Sequence, residues 1–187
     1  TGDSQTDHLT NNRSPEFTFT NIDADVYKVQ VVLNGTTYEV SKDPQDAWHW
    51  AAPELAAGTY TLSTLVTDKA GNQSTESMTF VIDTYVQIDS IQMSADTGYA
   101  DNDHLTYDSR PDFTIQVSDD VSHVYVSLDG TTPVELTKTN GEWIFSCPAE
   151  LSDGAHAVNV QVIDAAGNTA SQQVDFVVDT TLMPVTI

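Results

Sequence analysis

Asp103-His104-Leu105-Thr106, followed by Pro111-Asp112-Phe113, repeats the earlier Asp7-His8-Leu9-Thr10 and Pro15-Glu16-Phe17 at an offset of 96 residues. The correspondence extends outward from this stretch in both directions. Thr1-Gly2 returns as Thr97-Gly98, Asn34-Gly35 as Asp129-Gly130, Trp48 as Trp143 and Pro53 as Pro148. Asp68-Lys69-Ala70-Gly71-Asn72 returns as Asp164-Ala165-Ala166-Gly167-Asn168, and Val81-Ile82-Asp83-Thr84 as Val177-Val178-Asp179-Thr180. The offset drifts only between 95 and 96, so nearly all of the 187 residues belong to two copies of one unit. Self-similarity at a fixed period sets the domain organisation before any local reading, and each copy is long enough to bury a core of its own. The expected division is 1–83, 84–179, and 180–187 as the start of a linker to a following repeat.

Within each copy, short alternating segments are separated by turn residues, which is the pattern of an all-β domain. In the second copy the alternation predicts strands near 86–93, 113–117, 123–128, 133–137, 142–147, 156–163 and 171–178. Seven strands in about 95 residues suit an immunoglobulin-like β-sandwich. Asp129-Gly130, Asn140-Gly141, Asp153-Gly154 and Gly167-Asn168 each supply a residue that tolerates positive φ where a strand must end. Trp143 and Phe145 lie two apart on one strand, as do Trp48 and Trp50, so each pair faces one side of its sheet. Large aromatics in this pattern belong to the core. Cys147 continues the same face as a small buried hydrophobe.

The composition narrows the partners. Acidic residues number 28 against 6 basic ones, for a formal net charge of −22, and Asp supplies 21 of the 28 acids. Affinity for phosphate backbones depends on Lys and Arg, so nucleic acid is excluded. No apolar run approaches the ~20 residues of a membrane helix, so no membrane insertion is expected. A single cysteine cannot form an intramolecular disulfide. Asp enrichment reads either as solubilising surface or as hard oxygen ligands for Ca²⁺. A solubilising surface does not explain why carboxylates cluster at matching positions of a repeat.

Gly141-Glu142-Trp143-Ile144-Phe145, Leu151-Ser152-Asp153-Gly154-Ala155-His156, Asp164-Ala165-Ala166-Gly167-Asn168 and Asp179-Thr180-Thr181, in that order, resemble the bacterial Ig-like repeats of giant adhesins and biofilm-associated surface proteins. Asp96-Thr97-Gly98 with Asp101 and Asp103 resembles the acidic opening of the same repeats. The resemblance implies a long, type I-secreted protein of the bacterial cell surface in which Ca²⁺ stiffens a row of domains. Its implied partners are neighbouring repeats of the same chain and a host-cell or matrix surface, including glycans. The first copy departs from the pattern. It has no counterpart of Asp96 or of the strand before it, so its sandwich is expected to lack the opening strand. Gln5 stands opposite Asp101, and Asp46-Ala47-Trp48 stands opposite Gly141-Glu142-Trp143.

Immunoglobulin-like strand order places the candidate ligands. The B–C and F–G loops lie at the end where the chain enters a domain, and the A–B loop lies at the end where it leaves. Asp119 and Asp120 fall in the second copy's B–C loop, and Asp164 and Asn168 in its F–G loop. Both loops are expected to face the linker residue Asp83. The main expectation is a Ca²⁺ held at the domain boundary by Asp83, Asp164 and one or both of Asp119 and Asp120, with oxygens such as the Thr84 carbonyl completing the shell. Asp3 and Asp7 of the first copy's exit-end loop are expected at the same junction. A second candidate is the loop Asp96–Asp103, with Asp96, Asp101 and Asp103 close to Asp179. Its spacing lacks the full EF-hand order and the closing Glu of that motif.

The sequence contains no His-Glu-x-x-His motif among its five histidines, no Gly-x-Ser-x-Gly elbow and no phosphate-cradling glycine loop, so it reads as non-enzymatic. His8 and His104 occupy equivalent positions, which points to a structural role. The function expected is a Ca²⁺-stiffened spacer or stalk of an adhesin. The alternative is a carbohydrate- or receptor-binding module at the adhesive tip, for which Tyr99, Tyr107 and Tyr125 are the candidate contacts.

Overall fold

The computed structural model describes residues 4, 6–100 and 102–182. All regular structure among them is β. The first copy forms β1 (Leu9–Thr10), β2 (Glu16–Phe19), β3 (Val26–Leu33), β4 (Thr36–Glu39), β5 (Ser41–Lys42), β6 (Trp48–Ala51), β7 (Gly58–Asp68) and β8 (Gln73–Ile82). The second forms β9 (Ile88–Met93), β10 (Leu105–Thr106), β11 (Asp112–Val117), β12 (Val121–Leu128), β13 (Val134–Glu135), β14 (Lys138–Thr139), β15 (Glu142–Ser146), β16 (Gly154–Asp164) and β17 (Thr169–Val178). By contacts the chain divides into two compact units. One runs up to Tyr85 and includes Ala165–Asn168; the other takes Val86–Asp164 and the residues from Thr169 onward.

In the first unit a five-stranded sheet of order β1-β8-β7-β3-β4 belongs with a three-stranded sheet β2-β6-β5. In the second, β10-β17-β16-β12-β13 belongs with β14-β15-β11-β9. These are immunoglobulin-like sandwiches, each built on period-two alternation. Along β12 the pattern buries Val124, Val126 and Leu128 while the residues between them stay half-exposed. Each fully buried Val, Leu or Phe contributes about 1.5–3 kcal/mol, and one such cluster forms per unit. Trp50, Trp143, Phe145 and Cys147 are all buried within them and Trp48 packs against its cluster half-buried, so the aromatic pairs do point to the cores.

The hairpins follow from the turn residues. Asn34-Gly35 and Asp129-Gly130 take φ of 51° and 76°, and of 50° and 72°. Both central residues are left-handed, as the tightest β-hairpin turn requires. Asp46 keeps the positive φ of 66° that Gly141 adopts at 89° in the other copy, which Asp tolerates better than most side chains. The turn still differs: Asn140 and Gly141, both left-handed, join Thr139 directly to its partner Glu142, whereas in the first copy Lys42 pairs with Trp48 across a longer loop in which Asp46 alone has positive φ.

Two expectations of the strand pattern need correction. The strand expected over 133–137 is split: β13 pairs with β12 in one sheet and β14 with β15 in the other. The chain changes sheets at Leu136, whose N–H donates to Val124 O at 2.8 Å. The first copy makes the same move at the buried Val40, with its N–H on Val29 O at 2.9 Å. The short parallel strands β1 and β10, on β8 and β17 respectively, fall in a stretch that reads from sequence as loop. Each follows a histidine with positive φ, His8 at 60° and His104 at 55°, whose carbonyl accepts from Val81 or Val177. These histidines turn the chain onto the sheet edge.

Candidate metal centre

Asp164 is the last residue of β16, and its register opposite Val121 sets it beside the turn joining β11 to β12. That turn is closed by Val121 N–H donating to Ser118 O at 3.2 Å, and it carries Asp120. Asp83 follows β8. Its N–H donates to Thr10 O at 2.9 Å, and its Oδ1 accepts from Tyr85 N–H at 3.1 Å, a local turn that fixes both main chain and carboxylate. Asp83, Asp120 and Asp164 each bring a carboxylate oxygen within 4.8 Å of the other two. Asp164 is fully buried, Asp83 half-buried and Asp120 exposed.

Three carboxylates at this spacing oppose one another. Two unit charges about 4 Å apart repel by roughly 4 kcal/mol at an effective dielectric of 20. A buried carboxylate adds the cost of lost hydration. A divalent cation removes both penalties. Oxygens on opposite sides of a Ca²⁺ ion, each about 2.4 Å from it, stand about 4.8 Å apart, and Ca²⁺ accepts the irregular geometry that separate loops supply. The set is all oxygen, with no histidine or thiolate, which suits a hard cation over zinc. Asn168 Nδ2 donates to Asp83 O at 3.0 Å, so this side chain braces the linker backbone.

The other predicted ligands are placed differently. Asp119 is exposed and outside the set. Asp7 Oδ1 caps Leu9 N–H at 3.0 Å, the same turn that Asp103 Oδ1 makes with Leu105 N–H at 3.1 Å. Asp3 and Asp101 lie outside the described residues. In the loop Asp96–Asp103, Asp96 Oδ2 accepts from His104 N–H at 3.2 Å. Asp96 Oδ1 is buried with no hydrogen-bond partner among the described residues. Asp103 Oδ2 accepts from Ala100 N–H at 3.2 Å. The Leu105 amide holds the Asp103 carboxyl below its usual range, against some desolvation and with help from the Ala100 amide. A Cβ on residue 98 would stand 2.5 Å from Asp103 Oδ1, so Gly98 is what lets the loop close over this carboxylate. Asp179 Oδ1 accepts from Thr181 N–H at 3.1 Å. Among the described residues, only Asp83, Asp120 and Asp164 form a group of three such side chains.

The profile of the bacterial Ig-like domain matches residues 1–84 and again 85–180. The chain belongs to that family. Curated protein sequences offer no match. Among solved structures, the fibronectin(III)-like modules of Clostridium thermocellum CbhA superpose with a TM-score of 0.52 at 14% identity, covering 96% of this chain and 93% of that one. A 1.5-MDa bacterial ice-binding adhesin gives a TM-score of 0.41 at 23% identity, over 82% of this chain and 53% of that one. A Ca²⁺-stabilized adhesin of an Antarctic bacterium gives 0.41 at 21%, over 83% and 41%.

Of the tyrosines considered for glycan contact, Tyr99 and Tyr107 are exposed. Tyr125 is half-buried, with its ring stacked against His123 at 6.2 Å. Sequence reasoning missed the bracing role of Asn168. The usable signal was the paired Asp and Asn at the two ends of the F–G loop, in both copies.

Proposed function

We propose that this bacterial Ig-like chain is a Ca²⁺-stiffened spacer of a bacterial surface adhesin, with one ion bound by Asp83, Asp120 and Asp164. The observation that carries this reading is the convergence of those three carboxylates, one of them fully buried. The Thr84 carbonyl and water complete a shell of the size calcium takes. The ion ties the linker at Asp83 to the loops that open the second domain. A rod of such repeats, exposed outside the cell, would carry an adhesive end away from the bacterial surface. Extracellular calcium modules bind with Kd on the order of 10⁻⁴–10⁻³ M, so the site would be filled outside cells and empty inside them. Asp96 and Asp103 are proposed as a second, weaker site, supported by the buried and unpartnered Asp96 Oδ1.

Calorimetric titration with calcium tests the main site. Asp83→Ala and Asp164→Ala should each remove the tighter binding event. Unchanged isotherms in both variants would discard the assignment. Small-angle scattering tests the mechanical part, since a maximum dimension that is equal with calcium and with chelator leaves no stiffening role.

A further inference from the structure

Asn-Gly occurs twice in the chain, and each pair forms the two-residue turn of a hairpin: Asn34-Gly35 between β3 and β4, and Asn140-Gly141 between β14 and β15. All four residues are exposed and left-handed, with φ of 51° and 76° in the first turn and 54° and 89° in the second. Neither asparagine side chain is held by a hydrogen bond among the described residues, and neither glycine amide donates to another main-chain group. A Cβ built on either glycine would meet nothing within 4 Å. In an Asn-X pair the nitrogen of X can close a small ring on the asparagine Cγ. Glycine, with no Cβ, obstructs that approach least.

A third turn supplies the contrast. Asp129-Gly130 has the same pair of left-handed residues, at 50° and 72°, and equally open space at its glycine. Its carboxylate is engaged, with Oδ1 accepting from Ala157 N–H at 2.8 Å and Oδ2 2.7 Å from His156 Nδ1. A carboxylate fixed in this way does not swing toward its glycine, and its carbon is a poor electrophile.

The two Asn-Gly turns differ in how firmly their strands hold them. β3 and β4 pair over four positions, from Gln30–Glu39 to Leu33–Thr36. Lys28 Nζ bridges Glu39 at 3.2 Å, and Tyr38 packs on Trp50 with ring centroids 5.2 Å apart. β14 and β15 pair only at Lys138–Trp143 and Thr139–Glu142. The ring requires an asparagine ψ far from the value of this turn, so closure proceeds through local opening of the hairpin. A shorter ladder opens more often.

We propose that Asn140-Gly141 is a site of spontaneous deamidation in the folded protein, with Asn34-Gly35 a slower second site and Asp129-Gly130 resistant to the equivalent isomerisation. The Gly141 nitrogen gives its proton to solvent and bonds to Asn140 Cγ. The Cγ–Nδ2 bond breaks, and Nδ2 leaves as ammonia with a proton from solvent. Water then opens the succinimide at either carbonyl, leaving aspartate or isoaspartate. One water is consumed, one ammonia is released, and nothing is oxidised or reduced. The product places a new negative charge two residues from Glu142. In the isoaspartate form it also adds a main-chain carbon to a two-residue turn beside Lys138 and Trp143, whose ammonium and ring lie 5.2 Å apart.

The test incubates the full chain in mildly alkaline buffer and follows each turn by peptide mass spectrometry, with isoaspartate detected by enzymatic methylation. The same chain in denaturant is the reference, in which Asn34 and Asn140 should convert at similar rates. In the folded chain Asn140 should convert about tenfold faster than Asn34, the difference that one or two ladder hydrogen bonds make to opening. No isoaspartate should accumulate at Asp129. Tyr38→Ala loosens β4 and should accelerate Asn34 while leaving Asn140, in the other domain, unchanged. Equal folded rates at the two asparagines, or conversion at Asn140 in denaturant alone, overturns the proposal. So does an Asn34 rate unmoved by Tyr38→Ala, or isoaspartate forming at Asp129 as fast as at Asn140.

Discussion

The two F–G loops carry nearly the same sequence and use it differently. In the first copy, Asp68 Oδ1 accepts from the Ala70 and Asn72 amides at 2.8 Å each, and its Oδ2 accepts from Asn72 Nδ2 at 2.7 Å. The Asn72 side chain, followed by the Asn72 amide, holds this carboxyl below its usual range. In the second copy Asp164 is buried beside Asp83 and Asp120, and Asn168 reaches the Asp83 carbonyl. The asparagine side chain thus has a different partner in each copy, its own loop's aspartate in the first and the Asp83 carbonyl in the second.

The largest expected effect breaks the symmetry of the cores. Phe113 is fully buried against Phe176, with ring centroids 5.1 Å apart, and Phe113→Ala should cost about 3–5 kcal/mol. Phe17 makes the equivalent contact with Phe80 at 5.3 Å but is half-exposed, so Phe17→Ala should cost about half as much, since less cavity is created. Denaturant unfolding followed by domain-resolved amide exchange separates the two. Equal losses would mean that the half-exposed ring contributes as much as the buried one.

Calcium should come next. At a hundredfold excess over Kd, an ion that binds only the folded state adds about 2.7 kcal/mol. That gain should appear in the exchange of the second domain's β16 and vanish in Asp83→Ala. The Asp68 loop, already satisfied by Asn72, should not respond. A smaller effect concerns Cys147. Burial, then the nearby Asp112, Asp108 and Asp129, raise its thiol to about 11. The thiolate is the reactive form, so labelling by a thiol reagent at pH 8 should be limited by unfolding, and Phe113→Ala should accelerate it.

How far this was legible varies with the physics involved. Most strand positions in the second copy and the burial of Trp50 and Trp143 follow from alternation, turn residues and strand order, all local or topological. Asp119 and Asp120 are adjacent and chemically alike, and nothing local in the sequence says which of them comes within reach of Asp164. The sheet change at Leu136 depends on competition between two sheets for a few polar residues, which periodicity does not register. The short strands after His8 and His104 depend on a left-handed residue that carries no glycine to announce it.

The smallest effect sharpens the contrast at one matched pair of positions. His156 is nearly buried, with Nδ1 2.7 Å from Asp129 Oδ2 and Nε2 2.8 Å from Ser152 O. Both partners are acceptors, so the imidazole satisfies both only when doubly protonated. The Asp129 hydrogen bond first, then the Ser152 carbonyl, raise the His156 pKa above its usual 6.5, against desolvation. Asp129 is opposed by desolvation but held below its usual 3.8 by hydrogen bonds from His156 and the Ala157 amide. The histidine's contribution is complete below pH 6.5 and disappears as pH rises through the elevated folded value. The aspartate's is present above pH 3.8 and is lost on acidification through its lowered one. The pair therefore stabilises most between those limits, by about 1–2 kcal/mol for a charge-assisted bond with one partner partly exposed. In the first copy the matching residues are Asn34 and Tyr60, and the Tyr60 hydroxyl donates to Ala56 O at 2.9 Å, so that site holds no imidazole. Converting the second site to the first with Asp129→Asn and His156→Tyr should remove the decline in the second domain's stability from pH 6 to 8 and leave the first domain's profile unchanged. A decline that survives the exchange would have to arise from another group.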